Sequence, residues 1–370
     1  MDGFFSEKDQ IVISGQRGKS ESKGRVVYAD ALRCVAALAV VLLHSSADYM
    51  HEPPFTDSLW YIANAFNSLS RWCVPVFVML SGAFMLNPRK ALTIQGVWRK
   101  NIAKLVVAFI IWSLLYSVYD VAVSGWGGIP AFLSSVIQGE YHLWYIPMLI
   151  MLYMLTPVMR VVVPNRTLLL YITALSLVFP MLVAYVGLLP QSMRQSFSSL
   201  LSDTSVGFGY VGYFFLGYVL FNVPFKKKHR AAIYVIGILG AIVTIAGMCE
   251  MNSHAEQLNR LFYGNGTINV AAMSIAVFVL FRYSNVLSNE QDLELGVRKK
   301  VIKAIEKVSS AGLGVYLIHV FFLKLSRQVV ETYITNCPIL ILFWAVAVFA
   351  VSCCAALILK RIPVVSRWLV

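Results

Sequence analysis

The chain has 370 residues, 58% of them hydrophobic and only 13% charged, with a mean hydropathy of +0.70. A soluble protein of this length carries about a quarter charged residues, so that class is excluded. The formal net charge of +13 does not mark a nucleic-acid binder, because Lys and Arg collect in every second loop, which is the signature of cytoplasmic loops in membrane proteins.

Residues 1–25 are polar and carry Lys8, Arg17, Lys19, Lys23 and Arg25. They lack the apolar core of a signal peptide and are predicted to form a disordered cytoplasmic tail. Apolar runs then recur at 27–47, 60–86, 102–123, 142–163, 167–189, 206–224, 231–250, 264–283, 310–328 and 338–359. Each is long enough to cross a hydrocarbon core about 30 Å thick. The chain is therefore expected to be all-α and polytopic, with about ten transmembrane helices and both termini cytoplasmic. One transmembrane domain over 26–362 and a short cytoplasmic tail over 363–370 are expected. The longest connection, about 284–309, contains "LGVRKKVIKAIEKV" and predicts an amphipathic helix on the inner leaflet. No internal repeat emerges, which counts against many transporter architectures. The six cysteines have neither metal nor disulfide spacing, so they are read as small buried residues and no metal site is expected.

Ionisable residues inside spans cost at least about 2.5–3.5 kcal/mol each on insertion scales, so each is a functional candidate. The first span holds Asp30, Arg33 and His44. Eleven residues at about 100° each make three turns plus about 20°, which puts Arg33 and His44 on one face, roughly 16 Å apart along the axis. Asp30 lies on nearly the same face and can pair with Arg33. The plainer readings are a buried pair that fixes packing and an interfacial histidine. The second span holds Arg71, Pro75, Ser81 and Gly82; Ser81-Gly82 also suits simple close packing of helices. The fourth span opens with Glu140, His142, Trp144 and Tyr145, which read either as an aromatic belt or as a sugar-stacking platform. In the ninth, Tyr316 and His319 lie one turn apart, with Ser309 and Ser310 at the inner end.

Four motifs occur in order across about residues 26–330: the Arg-x10-His pattern from Arg33 to His44, "VPVFVMLSGAFML", "HLWYIPMLIMLYMLTPVMR" and "SSAGLGVYLIH". Their order resembles acyltransferase family 3, a family of integral membrane acyltransferases with ten membrane helices. Val78 stands where the family usually has a second Phe in the Ser-Gly segment. The resemblance implies a multi-pass enzyme of the cell inner membrane. Its reaction would move an acetyl group from acetyl-CoA, a co-substrate rather than a bound cofactor, to a hydroxyl of a surface glycan or an undecaprenyl-linked sugar precursor. The stretches "IANAFNSLSRWCVPVFVMLSG" and "NCPIL" favour an N-acetylglucosamine-type residue of an enterobacterial common antigen-like polysaccharide. Membrane lipid is a further expected partner, nucleic acid is not, and self-association is compatible with the sequence.

Under that resemblance His44, Arg33 and Asp30 form the catalytic set. His44 acts either as a general base or as the acyl carrier, and Arg33, oriented by Asp30, holds a phosphate or an oxyanion. Arg71, Ser81, His142, Trp144, Tyr316 and His319 are the substrate-binding candidates. Arg99, Lys100, Lys104 and Arg160, in the basic inner loops, suit the nucleotide phosphates. His44 lies about 25 Å along its helix from the cytoplasmic entry, so a cytoplasmic donor needs a polar shaft, lined by Arg33, Arg71, Tyr316 and His319, to reach it. A transporter or flippase for a polar solute or lipid-linked sugar would use the same shaft and stays open as the alternative.

Overall fold

A computed structural model describes residues 26–51, 54–188, 208–284 and 295–369. The expected tail over 1–25 lies outside the described residues, as does the first part of the 284–309 connection.

The described residues form helices and no strand. In chain order they are α1 (Val27–Ala47), α2 (Ser58–Ser70), α3 (Cys73–Met85), α4 (Ile94–Ser124), α5 (Ile129–Gln138), α6 (Tyr145–Val162), α7 (Arg166–Tyr185), α8 (Phe208–Asn222), α9 (Lys227–Asn252), α10 (Ile268–Arg282), α11 (Leu295–Ser310), α12 (Gly312–Asn336), α13 (Leu340–Leu359) and α14 (Pro363–Trp368). Among the described residues nine helical stretches are long and apolar enough to cross a membrane, with α2 and α3 together making one of them. The shorter apolar α8 occupies the sixth expected span. The chain is an all-α polytopic membrane protein.

Local chemistry explains several boundaries. Asp57 caps α2 by accepting from the Trp60 amide at 2.7 Å, Thr93 caps α4 through Gly96 at 3.0 Å, and Asn165 caps α7 through Leu168 at 3.0 Å; each oxygen satisfies an otherwise unpaired first-turn N–H. The expected span over 60–86 is not one continuous helix. It breaks at Arg71 and Trp72, which places Pro75 in the first turn of α3, where its missing N–H leaves no hydrogen bond unmade. Beyond the break, α3 and α8 meet backbone to backbone. A Cβ on Gly82 would collide with the Phe214 main chain, and one on Gly217 with that of Met79. Small residues at both positions permit this approach, as in membrane helix pairs generally.

The amphipathic connection is helical from Leu295, and its last turns dock on α1. Cys34 Sγ donates to the Ile305 carbonyl at 3.4 Å, and Ser309 Oγ to Asp30 at 2.6 Å. Helix α1 sits at the centre, packed against α2, α3, α10, α11, α12 and α13. Helix α9 instead exposes Val235, Ile236, Ile238, Leu239, Ile242 and Val243, an apolar face suited to lipid. Helix α1, which carries the ionisable row, packs against more of the described elements than any other helix.

Candidate active site

At the basic end of α1, Asp30 is buried and pairs with Arg33 Nη1 at 2.9 Å. The same carboxylate oxygen accepts from Ser309, which ties α1 to α11. A third of the Arg33 side chain stays open, and its guanidinium lies 4.9 Å from the Phe84 ring centroid. The aspartate holds one edge of the guanidinium while part of it faces open space, a geometry suited to gripping an anion.

Three turns further along, His44 lies among the helices and is half-buried. Helix α2 grips α1 at this level: Asn67 Nδ2 donates to the Leu43 carbonyl at 2.9 Å and to Ser46 Oγ at 3.1 Å. Asn67 also accepts from Arg71, whose guanidinium stacks 3.8 Å over the Tyr263 ring. Arg71 is thereby held within electrostatic reach of His44.

Two more imidazoles converge on His44. His319 of α12 lies 5.3 Å from it, ring centre to ring centre, and His142 lies 6.4 Å away. His142 and His319 are themselves 5.2 Å apart. Tyr141 flanks His44 at 5.2 Å, while Tyr316 flanks His142 at 5.5 Å and donates its hydroxyl to the His142 carbonyl. His142 stands in the loop between α5 and α6, outside the spans. Burial first, then the neighbouring His319 and His44, push its pKa well below the usual histidine range. Its ring nitrogens make no hydrogen bond among the described residues; the Leu317 carbonyl accepts from Tyr116 instead, at 2.9 Å. Among the described residues no group of three His, Cys, Asp or Glu side chains is arranged to hold a metal ion.

An ion cluster fixes the loop that carries His142. Lys324 Nζ of α12 meets Glu140 at 2.6 Å and Asp120 of α4 at 3.0 Å. The ammonium also lies 5.7 Å from the Tyr116 ring and 5.8 Å from that of Tyr119. Lys324, Asp120, Asn67 and Tyr141 were not singled out from the sequence. A signal existed for Lys324, a lysine inside the apolar run "VFFLKL". Asn67 and Tyr141 carry none, since polar and aromatic residues near span ends are common.

The remaining candidates lie around this centre rather than in it. Ser81 donates to its own helix at Phe77, at 2.9 Å, and sits beside the Tyr145 and Tyr153 hydroxyls. Trp144 is exposed and packs 5.8 Å from Tyr210, at the edge of a cleft of about 230 Å³ that Tyr210 lines with Tyr213 and Asn265. Arg99 and Lys100 are exposed on a wide π-helical turn, Val97–Ile102; such turns often mark functional positions. Lys104 is half-buried one turn on. Arg160 is committed structurally, with Nη2 donating to the carbonyls of Asn87 at 3.0 Å, Pro88 at 3.2 Å and Lys90 at 2.8 Å.

An ion-paired arginine and three clustered imidazoles inside a helical bundle are the features that set this membrane protein apart from a purely apolar one. Residues 26–361 match the family model described as an acyltransferase domain. The chain belongs to that acyltransferase family, acyltransferase family 3, and is a membrane acyltransferase. No curated protein and no solved structure matches it significantly.

Proposed function

We propose that the chain is an inner-membrane O-acetyltransferase that moves an acetyl group from acetyl-CoA to a hydroxyl of a surface glycan or its undecaprenyl-linked precursor. An N-acetylglucosamine-type residue of an enterobacterial common antigen-like polysaccharide is the preferred acceptor, a choice that rests on the likeness of two short stretches of the sequence to the enterobacterial common antigen O-acetyltransferase. The observation that carries the reading is the meeting of His44, His142 and His319 in one bundle interior, on the face of α1 that also presents the Asp30–Arg33 pair.

A sugar hydroxyl is a weak nucleophile at neutral pH. His44 removes its proton as the oxygen attacks the thioester carbonyl; the C–O bond forms, the C–S bond breaks, and the proton returns to the coenzyme A sulfur. In the other order, His44 itself takes the acetyl group and passes it to the hydroxyl. Arg33 holds a donor phosphate or the developing oxyanion, with Asp30 fixing its orientation. Arg99, Lys100 and Lys104 supply positive charge where a nucleotide would approach from the cytoplasm.

The test is acetyl transfer by purified protein from radiolabelled acetyl-CoA to membrane glycan. His44→Ala is expected to lower the rate about 10²–10⁴-fold, the usual contribution of a general base. Transfer at the wild-type rate in that variant removes His44 from the chemistry. Solute flux without acetyl-CoA would instead identify a transporter. Mass spectrometry of surface glycans from a deletion strain names the acyl group and the acceptor together, through the ester that disappears.

A further inference from the structure

His319 is completely buried, and its hydrogen bonds settle which nitrogen carries the proton. Nδ1 lies 2.7 Å from the Tyr316 carbonyl and 3.1 Å from that of Val315, both in its own helix. Carbonyl oxygens only accept, so Nδ1 is the protonated nitrogen, and in the neutral ring Nε2 presents a lone pair. That Nε2 is buried and has no hydrogen-bond partner among the described residues. A buried acceptor without a donor is costly unless something arrives to fill it.

Two imidazoles stand within reach of it, His142 with its ring centre 5.2 Å away and His44 at 5.3 Å; His44 is the one whose helix also carries the Asp30–Arg33 pair. The titratable and charged groups around His44 and His319 come from every element packed there; at the end of α1 Asp48 lies one turn beyond His44, with Arg327 and Glu331 of α12 acting on it. His142 faces both rings from the α5–α6 loop, and Tyr141 and Tyr316 flank them. Arg71 acts on His44 from the α2–α3 break. Glu140, on the same loop as His142, is tied to Lys324. Among these groups none is a free carboxylate in contact with His44, so the part that an aspartate plays in a Ser-His-Asp triad falls to a neutral imidazole.

We infer that His319 is the orienting acceptor of His44: when substrate fills the site, its Nε2 lone pair, which no donor fills among the described residues, receives the N–H from one nitrogen of His44 and thereby aims the other nitrogen's lone pair at the reacting group. In the transfer step that aimed nitrogen takes the hydroxyl proton while the C–O bond forms. The resulting imidazolium is stabilised through the hydrogen bond to His319, and the proton then passes to the sulfur as the C–S bond breaks. The same arrangement serves if His44 carries the acetyl group, because a nucleophilic imidazole needs its second nitrogen's proton held by an acceptor. His319 is a positioning residue that acts through His44. The inference rests on the acetyl-transfer reading for its kinetic consequences, but its tautomer can be measured without any turnover.

Two experiments test it. In protein labelled with ¹⁵N-histidine, ring nitrogen shifts should show His319 with its proton on Nδ1 at neutral pH, and the His44 signals should change tautomer population in His319→Ala. In the acetyl-CoA transfer assay, His319→Ala should lower kcat about 10²-fold with KM for acetyl-CoA within about threefold of wild type and a shifted acid limb of the pH–kcat profile; loss of orientation is expected to act on the rate. His319→Gln, which retains an amide oxygen as acceptor, should recover part of kcat, and it stands in where the alanine variant does not fold. A His319 protonated on Nε2, an alanine variant with wild-type kcat and pH profile, or a folded glutamine variant that recovers no kcat overturns the inference. A wild-type protein that transfers no acetyl group while His319 shows the Nδ1–H tautomer refutes the proposed function and leaves the assignment of His319 as a tautomer-fixed acceptor standing.

Discussion

Arg33 illustrates how much one side chain can be asked to do inside a membrane. Its charge is offset by Asp30 at 2.9 Å, and Asp30 is in turn held by Ser309, so the guanidinium is fixed in direction while part of it stays open. Lysine would keep the charge and lose the planar fork. Arg33→Lys is therefore expected to raise KM for acetyl-CoA about tenfold with a smaller effect on kcat, as initial-rate measurements over a donor concentration series will show. If KM is unchanged and kcat alone falls, Arg33 serves the transition state and not the donor. The pairing of Asp30 with Arg33 was legible from their three-residue spacing. The role of Ser309 was not, because 279 positions separate it from Asp30 and no local pattern encodes that contact.

Among the elements, the short loop between α5 and α6 carries the largest consequence. It brings Tyr141 and His142 against His44, and it is pinned twice, by Lys324 on Glu140 and by the Tyr316 hydroxyl on the His142 carbonyl. Lys324→Glu would set three carboxylates together with Asp120 and Glu140, so activity should fall about 10–100-fold while the protein remains folded in detergent. The double variant Lys324→Glu with Glu140→Lys restores opposite charges across the contact and should recover activity, with a coupling of roughly 0.5–3 kcal/mol in a double-mutant cycle. Additive losses would show that the ion pair does not position the loop. The sequence placed His142 at the end of a span, where an aromatic belt explained its neighbours equally well. Only the loop's return into the bundle separates these readings.

For the whole molecule, orientation is the property that governs which side of the membrane each end of α1 faces. Helix α12 begins beside the basic segment of α11 and ends at Asn336, so the exposed Cys337 lies at the end away from the basic loops. On the topology expected from the charge pattern, Cys337 should react with a membrane-impermeant maleimide added to intact spheroplasts, in a variant whose other cysteines are replaced by serine or alanine. Labelling only after lysis would invert the topology and place the Asp30–Arg33 end outside.

Composition and period alone determined that this chain crosses the membrane many times as helices, and that Arg33 and His44 share one face of the first. Those properties follow from residue spacing within single segments, since each helix must satisfy its own backbone in hydrocarbon. The order of four short motifs was enough to indicate the family. What only the tertiary structure decided is which polar residues meet: the three imidazoles come from α1, the α5–α6 loop and α12, and Arg71 reaches the site through Asn67 at a break between helices. Such meetings depend on helix rotation, depth and packing against distant segments, which single-segment periodicity does not carry. Packing likewise committed Arg160 to three backbone carbonyls, a use that its place in a basic cluster did not reveal.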